Sequence, residues 1–221
     1  MSANSGFLTS SIGKKYFMAL TATVWSLFVM VHMLGNILIF VSAEAYNKYS
    51  HALTSNPVIY LAELFLVLVL LIHAFTGFTL FIRNRTTKPK FYSVTPVRVK
   101  SASISSRTMI YTGTIILAFI IWHLITFKWG EMYFVTYDGI QMRDIYKLVV
   151  EKFKDPFYVA SYSVIMILIG VHLYHGVQSI FQSLGISHPR YNKFFKYFGY
   201  TYAVVVAAGF FSQPIYVFLA R

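Results

Sequence analysis

The stretch Phe157–Leu184 reads FYVASYSVIMILIGVHLYHGVQSIFQSL and contains no Asp, Glu, Lys or Arg. An α-helix rises about 1.5 Å per residue, so about 20 apolar residues cross the ~30 Å hydrocarbon core of a bilayer. The stretch is therefore predicted to be a transmembrane helix. Two histidines, His172 and His175, lie inside it, although ionisable side chains are costly within a membrane and are usually functional there.

Four other long apolar segments accompany it: Lys15–Val41, Pro57–Ile82, Ser103–Phe127 and Phe194–Leu219. Of the 221 residues, 57% are hydrophobic and only 12% are charged, whereas about a quarter of the residues of a soluble domain are charged. We predict an all-α integral membrane bundle of five transmembrane helices that forms one domain over residues 1–221. Because the chain has no cysteine, it contains no disulfide, thiolate metal site or iron–sulfur cluster of its own.

Lysine and arginine residues mark one side of the predicted membrane. They precede the first helix and fill the connections between helices two and three and between helices four and five, and no Asp or Glu occurs in these three regions. By the positive-inside rule, the N-terminus is predicted to be cytoplasmic and Arg221 to lie outside. The net charge of +12 is thus an orientation signal, and nucleic-acid binding is not expected.

The longest external connection runs from Lys128 to Pro156. Its Asp138-Gly139 dipeptide, flanked by Tyr133–Val135 and Ile140–Met142, predicts a tight hairpin turn. An amphipathic helix on the membrane surface is then indicated by apolar residues at helical spacing, namely Ile145, Leu148, Val149 and Phe153. A simple cover over the bundle is favoured, and a lid over a ligand site is the alternative.

Histidines at matching depths are the main functional signal. Measured from the basic ends of their helices, His32 and His123 lie about 25 and 24 Å from the cytoplasmic side. His73 lies about 15 Å from the same side, measured from Arg83, and His172 lies about 18 Å from it, measured from Leu184 at the end of its segment. The four residues therefore predict two levels about 9 Å apart, each holding two imidazoles from different helices.

Two imidazoles at one depth can ligate one haem iron and leave it no open position, which favours electron transfer over oxygen chemistry. Gly77 and Gly176 follow His73 and His172 at i+4, and Gly35 follows His32 at i+3. These glycines could admit a flat porphyrin, or they could serve helix packing. His175 could replace His172 as a ligand, but only His172 has a glycine at i+4.

At this point the sequence resembles a known family, the single-chain dihaem cytochrome b membrane anchors of bacterial succinate dehydrogenases and fumarate reductases. Helix count, spacing and the order of the histidines agree over nearly the whole chain. The residues that carry the resemblance are Val31-His32, Asn36, Ala43–Asn47, His51, Ser55-Asn56-Pro57, Glu63, His73–Gly77, Trp122-His123 and the stretch from His172 to Gly185.

The resemblance implies that His32 and His123 bind a distal haem b and that His73 and His172 bind a proximal one. It also implies a bacterial cytoplasmic membrane location and a quinone substrate near the outer face, expected to be menaquinone. A cytoplasmic iron–sulfur subunit carrying a flavoprotein subunit would dock on the cytoplasmic face of the bundle. The basic connection Arg83–Arg107 is either the surface on which it docks or only a signal that orients the chain in the membrane. The chain alone would not act on succinate. The direction of the reaction and a dimer of the whole complex stay open.

Two positions qualify the resemblance. Some fumarate reductases of this type carry a glutamate, used for transmembrane proton transfer, two residues before the helix-four ligand. This chain has Gly170 there, so that proton path is not expected. Glu63, inside the outer end of helix two, is a candidate proton acceptor for quinol chemistry, and a glutamate bonded to a neighbour at the membrane edge is the alternative.

Two other functions compete with the redox anchor. A dihaem cytochrome b of a hydrogenase, formate dehydrogenase or nitrate reductase would place its histidines on different helices. A proton-coupled transporter could use buried histidines as a relay, but it would be expected to show internal repeats and broken helices, and the sequence shows neither.

Overall fold

The computed structural model describes residues 10–86, 104–186 and 188–220. Within them, five helices are long and apolar enough to cross a membrane. In chain order they are α1 (Ser11–Asn36, extended by a 3-10 turn over Ile37–Phe40), α3 (Val58–Thr86), α4 (Ile104–His123, extended by a π-helical segment over Leu124–Lys128), α6 (Pro156–Ser183) and α7 (Asn192–Leu219). The predicted all-α bundle is confirmed, and the predicted segments agree with the helices to within a few residues.

Between the spanning helices lie α2 (Ala43–Thr54), the strands β1 (Phe134–Tyr137) and β2 (Ile140–Arg143), and α5 (Ile145–Phe153). The strands pair antiparallel with Tyr137 opposite Ile140, so Asp138 and Gly139 form a two-residue turn. Both have positive φ angles, 52° and 76°, as a type I′ hairpin turn requires. The predicted hairpin is confirmed. We call this end of the bundle the hairpin end.

Local capping explains where the helices begin. The Ser10 hydroxyl accepts a hydrogen bond from the backbone N–H of Gly13 at the start of α1. Asp155 accepts from the N–H of Phe157 at the start of α6, and Pro156 occupies the first turn. A side-chain acceptor before the first turn, with proline just inside it, satisfies backbone donors that have no partner within the helix.

Helix α6 is the centre of the bundle, because it packs against α1, α4 and α7. Small residues allow close approach. A Cβ on Gly170 of α6 would lie 3.0 Å from the Cβ of Ala207 on α7, and one on Gly209 would lie 2.5 Å from the sulfur of Met33 on α1. Helix α3 presents exposed apolar residues such as Leu61 and Phe75, as expected of a helix that faces lipid.

The hairpin end is covered by α5. The face predicted from helical spacing is buried, with Leu148 0% exposed and Val149 and Phe153 nearly so. Val149 and Phe153 join Tyr46 of α2 and Val159 of α6 in one hydrophobic cluster. Helix α5 is thus packed on the protein rather than free to lie alone on a membrane surface.

Polar contacts tie this cover to α2. Asn47 is 0% exposed. Its amide donates to Asp144 Oδ1 at 2.8 Å and its carbonyl oxygen accepts from the N–H of Tyr146 at 2.9 Å. Nearby, the Lys48 ammonium donates to Asp138 in the hairpin turn and pairs with Glu44. These hydrogen bonds, to Asp138 above all, raise the pKa of Lys48.

We predict that Asn47→Ala lowers the free energy of unfolding by about 1–3 kcal/mol, because the N–H of Tyr146 loses its buried acceptor. The thermal unfolding midpoint in detergent measures the effect. Glu44→Ala is the matched control on the same helix. It removes an exposed i,i+4 pair and should cost under about 0.5 kcal/mol. Equal shifts of the unfolding midpoint in the two variants would contradict a stabilising role of the Asn47 hydrogen bonds between α2 and α5.

Candidate functional site

His32 of α1 and His123 at the end of α4 face each other near the hairpin end. Their ring centroids are 5.9 Å apart and their planes are nearly perpendicular, at 88°. The His32 ring stacks on Phe28, and the His123 ring lies beside Phe119 and Phe127. We call these two histidines the distal pair.

His73 of α3 and His172 of α6 form the second pair, which we call the proximal pair. They lie at one level, since each contacts a threonine 11 residues away from a distal histidine along the same helix. The Nδ1 atom of His73 is 3.1 Å from the hydroxyl of Thr21 on α1. The Nδ1 atom of His172 is 3.0 Å from the hydroxyl of Thr112 on α4. All four paired histidines are partly buried, and each comes from a different spanning helix.

The contacts to threonine also measure the distance between the two levels. Thr21 and His32 lie on α1 about three turns apart, and so do Thr112 and His123 on α4, which corresponds to about 16 Å of helix. The levels are thus farther apart than the sequence estimate of about 9 Å. That estimate measured each histidine from a residue near the end of its own helix and took those ends to lie at one depth, whereas the contacts compare positions along one helix.

The distal pair has the spacing that a shared metal requires. Two metal–imidazole bonds of about 2 Å, together with the half-widths of two rings, span about 6 Å. Within the described residues, no three His, Asp or Glu side chains cluster as metal ligands. A pair of histidines suits a metal whose other ligands come from a macrocycle, as in haem.

A buried donor lies between the two levels. Trp25 is on α1, one turn after Thr21 and about two turns before His32. Its indole N–H is buried and finds no acceptor in the part of the chain that the structure describes. Since a buried indole N–H usually has a hydrogen-bond partner, this donor is suited to a polar group of a bound cofactor.

The glycines predicted to clear space have different neighbours. A Cβ on Gly35 would meet the Tyr49 ring at 2.5 Å, so that position serves packing, and one on Gly77 would meet Met18 at 3.3 Å. Gly176 faces open space. The sequence reading missed Gly113 of α4, where a Cβ would lie 3.3 Å from Cε1 of His172. No histidine near Gly113 in the sequence signals that contact.

The ring of His175 is held by fewer contacts than the ring of His172. His175 is partly buried, and it makes no hydrogen bond to any of the described residues. His172 has the hydroxyl of Thr112 against Nδ1 and the gap left by Gly113 beside its ring. The contacts therefore favour His172 as the ligand.

Comparison with known proteins adds an independent finding. Residues 83–212 match the model of the succinate dehydrogenase/fumarate reductase transmembrane subunit family. The chain belongs to this family. No curated protein and no solved structure matches it.

As a succinate dehydrogenase/fumarate reductase transmembrane subunit, the chain is a multi-pass membrane protein that associates with the other subunits of such a complex. The family is of cytochrome b type and belongs to quinone oxidoreductases. The matched residues include His123 and His172, whereas His32 and His73 precede them. This membership disfavours the hydrogenase, formate dehydrogenase and nitrate reductase alternatives.

Glu63, the predicted quinone residue of this transmembrane subunit, lies near the hairpin end of α3. Its carboxylate accepts a hydrogen bond from the Lys128 ammonium, and both side chains are more than one-third exposed. This contact fits the alternative prediction for Glu63, a glutamate bonded to a neighbouring residue at the membrane edge. An open apolar cleft of about 180 Å³ starts beside it, lined by Ala52, Leu53, Asn56, Val58, Ile59 and Ala62.

The π-helical segment that carries Lys128 was not predicted. The N–H of Trp129 donates to the carbonyl of Leu124, and the chain then turns so sharply that a Cβ on Gly130 would lie 1.9 Å from the carbonyl oxygen of Thr126. A π turn shifts the side chains after it relative to a regular helix, and such turns are frequent at functional sites. This one begins directly after His123.

We predict that Gly113→Leu displaces the His172 ring, because the added side chain would occupy the space that the imidazole fills. The resemblance implies two haems per chain, and the purified variant should retain about one, as read from the pyridine haemochrome content. Ala118→Leu on the same helix, at an exposed position, should retain both. Two haems in the Gly113 variant would argue against His172 as a ligand.

Proposed function

We propose that this chain is the membrane anchor and electron-transfer subunit of a succinate:quinone oxidoreductase, relaying electrons between an iron–sulfur subunit and a membrane quinone through two haems b. The observation that carries the proposal is that four histidines, one each from α1, α3, α4 and α6, lie partly buried at two levels. The rings of one pair are 5.9 Å apart, and each ring of the other pair contacts a buried threonine. His32 and His123 would hold the distal haem, and His73 and His172 the proximal one. When bound, each haem would supply a one-electron carrier.

The chain contributes ligation, orientation and exclusion of water. Two histidines per iron would leave no open coordination position, which suits electron transfer and not oxygen chemistry. Aromatic rings surround the distal pair, with Phe28 stacked on His32 and with Phe119 and Phe127 beside His123. An apolar setting of this kind limits solvent access and tunes the potential of a redox centre.

We place the basic side of the bundle in the cytoplasm of a bacterium, where the iron–sulfur and flavoprotein subunits would dock. Positive residues at the ends of α1 and α3, without any acidic residue, support this orientation. At the start of the basic connection, the Arg85 guanidinium lies over the Phe81 ring and donates to the Tyr111 hydroxyl. Residues 87–103, which form most of the proposed docking surface, lie outside the described residues.

Electron transfer between the quinone and the cytoplasmic subunits would respond to the membrane potential. The proton path through helix α6 would need a side chain at Gly170, where even a Cβ would press on Ala207 of α7 at 3.0 Å. Uncompensated charge movement across the membrane costs or yields about 2.3 kcal/mol per charge per 100 mV.

The quinone, expected to be menaquinone, would react at the hairpin end. Glu63 and Lys128 place a carboxylate and an ammonium group there. Lys128 follows His123 by little more than one turn, so the pair lies on the route from the distal histidines to the surface. A carboxylate so placed could accept the proton that quinol releases.

We predict that His73→Ala or His172→Ala removes the proximal haem and ends electron transfer between succinate and quinone, while His32→Ala or His123→Ala removes the distal haem. Loss of one of two ligands destabilises iron binding, so each variant should show about half of the reduced-minus-oxidised α-band. His175→Ala is the matched control and should keep the full band. Full haem content in the four ligand variants would refute the assignment. A wild-type chain that shows no α-band would favour the alternative of a proton-coupled transporter.

We predict that Glu63→Gln slows quinone turnover by about 10²–10⁴-fold, the usual contribution of a general acid or base, while both haems stay bound. Steady-state quinone reduction by the assembled complex tests this, with haem content measured on the same sample. Glu44→Gln removes another carboxylate of the hairpin end, one that pairs with Lys48, and should leave the rate unchanged. Wild-type turnover in the Glu63 variant would assign that residue to structure alone.

A further inference from the structure

We propose that Thr21 and Thr112 are positioning residues that fix the tautomer of His73 and His172, so that the Nε2 atom of each proximal histidine is free to bind iron. The inference rests on the proposed function, because it assumes that the proximal pair holds a haem. It assigns a defined role to two residues that the sequence did not single out.

The geometry is the same at both histidines. Each threonine is 6% exposed and comes from a helix other than that of the histidine it contacts. Thr21 Oγ1 is 3.1 Å from His73 Nδ1, and Thr112 Oγ1 is 3.0 Å from His172 Nδ1. Both contacts select the same ring nitrogen, which leaves Nε2 pointing away from the threonine.

The hydrogen atoms decide the direction of these bonds. A hydroxyl has one hydrogen to donate. In Thr21 it is directed to the carbonyl oxygen of Phe17 at 2.7 Å. The carbonyl oxygen of Met18 is a second acceptor at 3.1 Å. With its hydrogen directed to the backbone, the Thr21 hydroxyl would accept a hydrogen bond from the His73 ring, which would put the proton of the neutral imidazole on Nδ1 and the lone pair on Nε2.

Thr112 also has one hydroxyl hydrogen to donate, and its hydroxyl lies 3.2 Å from the carbonyl oxygens of both Thr108 and Met109. With its hydrogen directed to either carbonyl, the Thr112 hydroxyl would accept from Nδ1–H of the His172 ring at 3.0 Å. The opposite direction, in which threonine donates to the ring, would place the proton on Nε2 and block iron binding. Buried threonines that already donate to their own helix thus select the tautomer that a metal requires.

The distal pair lacks this arrangement. His123 Nδ1 is 3.4 Å from the Tyr162 hydroxyl, and the side-chain amide nitrogen of Asn36 is 3.4 Å from His32 Nδ1 and 3.5 Å from its Nε2, so it selects neither nitrogen. These contacts are longer than the contacts to threonine. The proposal is therefore confined to the proximal pair, and the distal haem serves as an internal reference.

A hydrogen bond from Nδ1–H makes the ligating nitrogen more basic and holds the ring in place, and loss of such a bond typically weakens metal binding about 10–100-fold. A more basic ligand stabilises ferric over ferrous iron. Removal of the threonine oxygen should therefore raise the midpoint potential of the proximal haem and speed its loss to an acceptor protein, without changing the distal haem.

The experiment compares Thr21→Val and Thr112→Val in the assembled complex with Thr23→Val and Thr114→Val. The control threonines lie two residues away on the same helices, and within the described part of the chain their hydroxyls bond only to backbone, at Ala19 and Ile110. Readouts are haem content, a potentiometric titration of both haems and the rate of haem transfer to apomyoglobin. We expect a higher proximal potential and about 10–100-fold faster transfer of that haem in the test variants only.

Serine substitution keeps the oxygen and removes only the methyl group. Thr21→Ser and Thr112→Ser should restore wild-type values, also where a valine variant loses the proximal haem outright. Valine variants with wild-type potentials and transfer rates, or serine variants that fail to restore them, would overturn the proposal. A wild-type complex without haem would instead refute the proposed function, so the two failures are distinguishable.

Discussion

An imidazole inside hydrocarbon has two ring nitrogens and no water to bond them, and every unsatisfied polar group there is costly. This constraint governs the interior of the bundle. The proximal histidines meet it through Thr21 and Thr112, and the distal ones approach Asn36 and Tyr162. In each proximal ring one nitrogen is thereby satisfied and the other is left for a ligand. Buried histidines would destabilise four separate helices in hydrocarbon. They are tolerated in the bundle because polar side chains lie close to their ring nitrogens.

Helices α1 and α4 have a double role in this arrangement. Each carries one distal histidine and, about three turns away, the threonine that contacts a proximal histidine on a neighbouring helix. A change in the tilt or rotation of either helix would therefore disturb both levels at once. Helix α6 holds the set together, since it packs on α1, α4 and α7. The two candidate cofactor sites therefore depend on the same helices and are not two independent pockets.

Much of this could be predicted from the sequence, because helical rise predicts the spans and the grouping of the histidines at two depths. The hairpin followed from Asp138-Gly139, whose positive φ angles few other residue pairs accept. The contacts to threonine, the gap at Gly113 and the pairing of Glu63 with Lys128 could not, because each joins residues far apart in the chain. The π-helical segment after His123 has no composition signal of its own. The spacing of the levels was underestimated because the ends of different helices need not lie at the same depth.

The choice between His172 and His175 shows what tertiary contacts add to a pattern. Three residues apart on one helix, the two side chains differ by about 60° in direction and 4.5 Å in height, so they cannot occupy the same space. The sequence offered only the glycine at i+4 to separate them. In the structure, the hydroxyl of Thr112 and the missing side chain of Gly113 both lie against the His172 ring. One contact orients the ring and the other makes room for it, and both come from α4, the helix that also carries His123.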